Sequence, residues 1–370
     1  ALQAEAALAR GLGSAACFFD LTKAFEMVRL EMVWRRGLEL HFPPTILRMC
    51  LESFAFIRHL TFAGAVADGI ATLSAILAGG SFATDALYIV LIRPGDEIAA
   101  TIKMGALCLF VDDLTIHIWG REAHVAHDMK EAIELTIDKL EGELELVISR
   151  GTSGSKTTAI ASSEGLATRL APSLKAFGIG RKRKVKALGI DFGCGRKVKR
   201  EVQGERIGSV TARLGNYKAL GRKTATNLSR TGAAPAICYG AGVCGVPDSS
   251  IKKVRRFECA TQGEMRGRST LARLQLRGFD AGAQLSIEPI VDWSKAVWDK
   301  LVSVEDMQVI WQKAMGDVGL SDRPFVALTG PCGAMVASAR RIGWASPSPF
   351  TFMTCNGALL QLDSICPTVL

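Results

Sequence analysis

The chain has 370 residues, 48% of them apolar and 22% charged, and a formal net charge of +9. This composition excludes wholesale disorder, and the length predicts two or three domains with a sizeable buried core. The positive balance points to an acidic partner without identifying it.

Ala1–Arg10 is alanine-rich and helical in composition, and Gly11–Ser14 breaks it. The chain does not open on Met or on a signal peptide, and it reads as mid-protein sequence. Ala15–Leu21 is a short apolar run that ends around a carboxylate, as a buried strand does. Helical spacing follows over Lys23–Leu40 and again over Thr45–Phe56, the second started by Pro43-Pro44. His59–Val66 predicts a strand, with Gly64 and Asp68-Gly69 as turn signals. A small-residue loop at Gly79-Gly80-Ser81 opens a helix expected to run to about Ile92 and to stop at Pro94-Gly95.

Met104–Trp119 is the clearest local signal, two β-rich runs flanking Asp112-Asp113, hence a hairpin with two acids at its tip. Arg121–Leu146 predicts one long helix, from Val125, Met129, Ile133, Ile137, Leu140 and Leu144. Gly151–Ser155 predicts a flexible turn, and Thr157–Ala161 another short strand. From Lys175 to Arg230 the chain carries 16 Lys+Arg against three acids, a local net of +13, so the rest sums to −4. Beyond Thr231 the sequence reads as mixed helix and loop. The uncharged stretch Thr231–Val246 is too short and too broken by Pro235 to span a membrane.

Ten scattered cysteines contain no CxxC pair and read as reduced thiols of an intracellular protein. All five histidines lie in the first 127 residues, so no later one completes a Cys/His zinc site. His117, His124 and His127 read as surface or helix-end residues rather than metal ligands, since His124 and His127 are three apart with no obvious carboxylate partner. The six tryptophans read as packing rather than as base-stacking platforms.

Singly, Asp20 at a strand end and two Asp in a turn are ordinary turn chemistry. Together with the Gly79–Ser81 loop they suit another use. Carboxylates gathered at neighbouring strand ends repel one another, and divalent cations offset that cost. Two ions between such acids serve in-line phosphoryl displacement, and a basic segment serves a polynucleotide.

At these positions the chain resembles reverse transcriptases of the non-LTR (LINE-like) retrotransposon type. FFDLTKAFEMV (Phe18–Val28) is similar to polymerase motif A, AGGSFATDAL (Ala78–Leu87) to motif B, FVDD (Phe110–Asp113) to motif C, SKTTAI (Ser155–Ile160) to motif D, and KALGIDF (Lys186–Phe192) to the motif E primer grip. YGAGVCGVP (Tyr239–Pro247) resembles the thumb and connection. The resemblance covers about Phe18 to Pro247 and implies an α+β right-hand palm followed by a mostly helical thumb. It implies an RNA template, a DNA primer and dNTPs as partners, two Mg²⁺ ions (Mn²⁺ as substitute), and a nuclear setting in a eukaryotic element.

Residue by residue, it implies Asp20, Asp112 and Asp113 as catalytic metal ligands with the Leu21 backbone carbonyl. Phe25 would be the gate against the nucleotide 2′-OH. Gly79 and Lys156 would meet the incoming nucleotide, and Leu188 and Gly189 the primer end. Arg181, Lys182, Arg183, Lys184 and Lys186 would face the nucleic-acid backbone, although the first four also read as a nuclear localisation patch or a solvated turn. The expected division is a palm over 1–195, a basic thumb and connection over 196–300, and a C-terminal region over 301–370. Departures from the family pattern are Ala78 for Gln, Ala83-Thr84 for Ser-Pro, and Glu26 for the second Asp of motif A. The alternatives are a group II maturase or another palm polymerase, and an inactive fragment that still binds nucleic acid.

Overall fold

The computed structural model describes residues 1–71, 74–151, 156–194, 197, 200–261, 270–276 and 279–369. Two compact units divide the chain, one of Gly13–Arg183 and one of Ala1–Leu12 with Lys184–Leu370. The boundary between the two units falls at 183/184. Residues 301–370 form no unit of their own, because they share a hydrophobic core with the opening helix α1 (Leu2–Ala9).

The first unit is built on β1 (Gly13–Thr22). It continues through α2 (Ala24–Met27), α3 (Leu30–Glu39), α4 (Pro44–Phe54), β2 (Thr61–Phe62), β3 (Ala65–Val66), α5 (Ala83–Thr101), β4 (Gly105–Phe110), β5 (Asp113–Gly120), α6 (Glu122–Ile137), β6 (Val147–Ile148), β7 (Thr158–Ala161), α7 (Glu164–Ala176) and β8 (Gly180–Arg181). The main sheet runs β4-β5-β1-β7-β8, with β6 also on β1, and only the β7–β8 pair is parallel.

Alternation along β1 and β5 sorts their side chains onto two faces. Cys17 and Phe19 lie opposite Ile116 and Leu114, and all four are buried with Val125, Met129, Ile133, Leu166 and Leu170 of the two long helices. The other face carries Ala16, Phe18 and Asp20 opposite His117, Thr115 and Asp113.

Several expectations change. The helix expected over Lys23–Leu40 breaks at Val28-Arg29, both extended, where the Val28 carbonyl accepts the Ala75 N–H. His59–Val66 becomes a small exposed hairpin, since Ala63 (φ 48°) and Gly64 (φ 85°) make a tight turn. The long helix ends its α-helical part at Ile137, and Asp138–Glu143 is wound as a π-helix. Pro94 and Gly95 do not stop α5, which runs on to Thr101 with both residues buried.

Buried Leu91 and Ile98 anchor α5 in the core on both sides of Pro94, and ion pairs join it to its neighbours. Arg36 pairs with Glu39 and Glu143, Arg93 with Glu39 and Glu97, and Lys139 with Glu97 and Glu143. The charges close an alternating ring that ties α3, α5 and the π-helical turn together, with Glu97 one turn beyond Pro94.

The second unit continues with the hairpin of β9 (Val185–Ala187) and β10 (Ile190–Phe192). Its helices are α8 (Glu201–Ala212), α9 (Leu214–Ala219), α10 (Arg222–Leu228), α11 (Ala234–Cys238), α12 (Ala241–Cys244), α13 (Asp248–Thr261), α14 (Thr270–Leu276), α15 (Ala281–Trp298), α16 (Val304–Ala314) and α17 (Pro331–Arg341). A three-stranded antiparallel sheet follows, β11 (Ala345–Ser348), β12 (Thr351–Met353) and β13 (Leu359–Gln361). Trp293 is fully buried and donates to the Pro349 carbonyl at 2.8 Å, whereas Trp34 and Trp298 are exposed. None of the ten cysteines forms a disulfide. Among the described residues no helix is long and apolar enough to cross a membrane.

Two buried carboxylates serve helix starts here. Glu5 accepts from the Cys332 and Gly333 N–H groups at the start of α17, and Glu258 accepts from the Ala281 N–H that opens α15. Burial pushes the Glu258 carboxyl up to about 7 and Asp280 adds to the rise, against the Ala281 hydrogen bond, Arg255 and Arg230. In the unfolded chain this proton leaves near 4.5, so between 4.5 and about 7 the folded state binds more protons and stability falls as pH rises. Glu258→Gln is expected to be the more stable protein above pH 7, by up to about 3 kcal/mol, with no advantage below pH 4.5, in urea unfolding across that range.

Candidate active site at the open end of the sheet

Asp113 opens β5, and the β1–β5 ladder stops there while β1 runs on to Thr22 against β6. The last paired residues of that ladder are Asp20 and Asp113, which therefore project from the same face as direct cross-strand neighbours. Asp112 belongs to the two-residue turn Val111-Asp112 that joins β4 to β5, closed by the Phe110–Asp113 pair. Val111 takes φ 58°, an uncommon conformation for a β-branched residue.

The other edge of β1 is secured as well. The Ser149 N–H donates to the Asp20 carbonyl at 2.8 Å, and the Asp20 N–H donates to Thr157 Oγ1 at 3.2 Å. Carbonyls alternate along a strand, so the Leu21 carbonyl faces the β5 side, one residue past the end of that pairing. Lys156 Nζ stands 3.7 Å from Asp20 Oδ1, with a largely exposed side chain. Burial and the neighbouring Asp112 and Asp20 charges push the Asp113 carboxyl above the usual range.

The structure thus brings Asp20, Asp113, Asp112 and Lys156 to one end of one sheet, with the Leu21 carbonyl on the same side. Phe25 lies in α2, five residues past Asp20, half-buried against the unit's core. Gly79 is exposed with φ 84°, a conformation that favours glycine, and a Cβ there would meet nothing within 4 Å. Ser155 of the expected motif D and Arg196 at the expected thumb boundary lie outside the described residues.

The acids and the carbonyl form an all-oxygen donor set, the kind hard divalent cations take. Among the described residues the His/Cys/Asp/Glu group whose ligand atoms all lie within 4.8 Å of one another is a different one, His127, Asp128 and Glu131 on α6. His127 sits 3.5 Å from each of those carboxylates, which corrects the expectation that it lacks an acidic partner. His117 is no surface residue either. It is buried against Ser14 Oγ at 2.7 Å, and burial pushes its pKa down to about 3.

The remaining candidates divide between the units. In the first, Arg181 and Arg183 pair with Glu164, at 3.0 and 3.6 Å, and Lys182 is exposed. In the second, Lys184 pairs with Glu201, and Lys186 is exposed on β9. Surface pairs of this kind are weak and give way to phosphate at little cost. Leu188 (φ 46°) and Gly189 (φ 76°) form the tight turn of the β9–β10 hairpin. Tyr239 Oη donates to the Leu188 carbonyl at 2.9 Å, and Arg206 donates to the Gly189 carbonyl while lying over the Tyr239 ring. The positive φ of Gly189 favours glycine, and a Cβ there would lie 2.5 Å from Arg206 Nη2 and displace that guanidinium from the turn.

Two contributors escape sequence reasoning. Thr157 is fully buried and holds the Asp20 backbone, and the Tyr88 hydroxyl accepts the Val111 N–H at 3.2 Å. Thr157 lies inside the SKTTAI segment and Tyr88 directly follows AGGSFATDAL, but the resemblance gives neither a role, because each acts through a contact with a distant part of the chain.

No family model and no curated protein matches this chain. Among solved structures, it is similar to telomerase from Candida albicans in complex with the TWJ fragment of telomeric RNA, at 10% identity and a TM-score of 0.43. That match covers 87% of this chain and 52% of the telomerase chain, so the chain spans about half the length of that neighbour. A likeness at this level assigns no residue roles.

Asp113→Asn relieves a like-charge cross-strand pair. It is expected to raise folding stability by about 0.5–1 kcal/mol at neutral pH. Urea unfolding checks this, and the gain should vanish in acid, where wild-type Asp113 is protonated too.

Proposed function

We propose that the Gly13–Arg183 unit is the palm of an RNA-directed DNA polymerase of the non-LTR retroelement type, adding dNTPs to a primer 3′-hydroxyl. The observation that carries this reading is the Asp20–Asp113 register, which sets two carboxylates side by side at an open sheet end with Asp112 in the adjoining turn. The FVDD and DLTKAF segments fall on those positions.

Asp20, Asp112, Asp113 and the Leu21 carbonyl would hold two Mg²⁺ ions. When bound, these supply charge neutralisation at the attacking and leaving oxygens. The chain's own groups do the rest. Lys156, beside Asp20, is placed to neutralise the triphosphate as pyrophosphate departs. Phe25, five residues past Asp20, would screen the nucleotide 2′ position. The exposed Gly79 loop leaves its backbone open to close approach by the nucleotide–template pair. In the second unit the Leu188-Gly189 turn, braced by Tyr239 and Arg206, acts as the primer grip. The basic residues Arg181 to Lys184 and Lys186 contact phosphates, which makes binding salt-dependent.

Primer extension on an RNA template with a DNA primer and Mg²⁺ tests the reading. Wild type should extend the primer, and Asp112→Asn should lose nearly all incorporation while keeping fold and nucleic-acid binding. Strong residual synthesis by Asp112→Asn rejects the metal-ligand role. Binding without extension by either protein favours an inactive nucleic-acid-binding fold.

Phe25→Val is expected to raise ribonucleotide incorporation relative to deoxynucleotides. Competition between matched rNTP and dNTP on one template measures the ratio, and an unchanged ratio removes Phe25 as the gate.

A further inference from the structure

We infer that Tyr88 is a positioning residue for the candidate active site, clamping the turn that carries Asp112 through one hydrogen bond to a backbone in an unfavourable conformation. The inference rests on the polymerase reading for its catalytic consequence, but not for its structural one.

The turn between β4 and β5 has only Val111 and Asp112 between its last paired residues, Phe110 and Asp113. Of these two, Val111 alone has positive φ, 58°. A two-residue hairpin turn that places φ > 0 at its first position ordinarily uses glycine there. Valine, with two γ-carbons, is among the side chains least suited to it. Such a conformation persists only where surrounding contacts hold it, and strained backbone of this kind clusters at functional sites.

The contact that holds it is specific. Tyr88 lies in α5, and its hydroxyl accepts the Val111 N–H at 3.2 Å across 23 residues of sequence. That N–H belongs to a residue with no strand pairing of its own, so the phenol satisfies a donor that the ladder leaves over. The phenol's base is well fixed. Tyr88 is half-buried, and its neighbours Leu87, Ile89, Val90 and Leu91 are all buried in the unit's core.

The consequence is a mechanical link. The loop Gly79–Ser81 leads into α5, and α5 holds the N–H of Val111, the residue before Asp112. Losing the phenol oxygen leaves the core packing of the ring but frees the Val111 peptide. The turn then relaxes, and the Asp112 and Asp113 carboxylates lose their fixed placement. Because Tyr88 touches neither nucleotide nor primer in this scheme, its loss should fall on turnover rather than on substrate binding.

Tyr88→Phe, Val111→Gly and the double variant form a cycle that tests this. Amide hydrogen exchange over residues 109–114 is read first, with thermal unfolding in parallel. Tyr88→Phe should speed exchange in this segment with little change in Tm. The Val111→Gly change removes the conformational demand, so in that background the same Tyr88→Phe change should have little effect on exchange. Single-nucleotide incorporation should show kcat about five- to ten-fold lower in Tyr88→Phe, the loss equivalent to one hydrogen bond, with dNTP KM within about two-fold. The double variant should return to the level of Val111→Gly alone.

Unchanged exchange in Tyr88→Phe overturns the clamp. A kcat loss that persists undiminished in the Val111→Gly background, or that accompanies a large fall in Tm, assigns Tyr88 to core packing and also overturns it. If wild type incorporates nothing, the polymerase reading fails, and the exchange cycle still decides the clamp.

Discussion

The constraint on which the candidate site depends is the double pairing of β1. Eight residues from Gly13 to Asp20 pair with β5 on one edge, and Ala15 to Phe18 pair with β7 on the other. A strand fixed on both edges has no freedom to slip, because a one-residue shift would turn Cys17 and Phe19 out of the core and Asp20 into it. The hydrophobic side of the sheet thereby dictates where the carboxylates go. Asp20 and Asp113 share a face and a level because Phe19 and Leu114 share the opposite face one step earlier. The electrostatic cost of setting two acids side by side is carried by the apolar packing behind them, and it adds to burial and to the Asp112 charge in raising the Asp113 pKa.

The helices around the sheet are held by charge as well as by burial. The ring of Arg36, Glu39, Arg93, Glu97, Lys139 and Glu143 alternates in sign, and each member has two opposite neighbours. Arg36 is itself buried, so the ring offsets a desolvation cost as well as joining three elements. Two irregularities lie beside it. A proline inside α5 forfeits one backbone hydrogen bond, yet Arg93 and Glu97 bracket it with an ion pair along the helix. The π-helical turn over Asp138–Glu143 brings both Lys139 and Glu143 to the ring.

The second unit uses buried carboxylates at helix starts. Glu5 and Glu258 each accept backbone N–H groups that the first turn of α17 or α15 leaves without partners. Gly330 beside Glu5 has no room for a side chain, since a Cβ would lie 2.6 Å from the carboxylate carbon. The two residues perform one task at helices that share a core.

Much of the site was legible in order along the chain. The hairpin around Asp112-Asp113 and the strand that carries Asp20 follow from β-rich runs and turn residues, which act over a few positions, and the turn at Leu188-Gly189 is expected from the resemblance of KALGIDF to a primer grip. What the sequence could not state was set by partners far away in the chain. The break at Val28 exists because residues 75 and 76 bond back to the segment around it. The passage of α5 through Pro94 goes with the burial of Leu91 and Ile98 among residues of other elements, and the fixing of Val111 depends on Tyr88. His117 reads as a surface residue until β1 brings Ser14 against it. The joining of α1 to the C-terminal unit likewise follows from long-range packing, which no shift of composition announces. Sequence alone determined element type, turn chemistry and the identity of the acids, because backbone propensity and side-chain period are local. Tertiary structure alone decided which strands lie side by side, which charges meet and which carboxylates share a face, because those depend on contacts between residues the chain holds far apart.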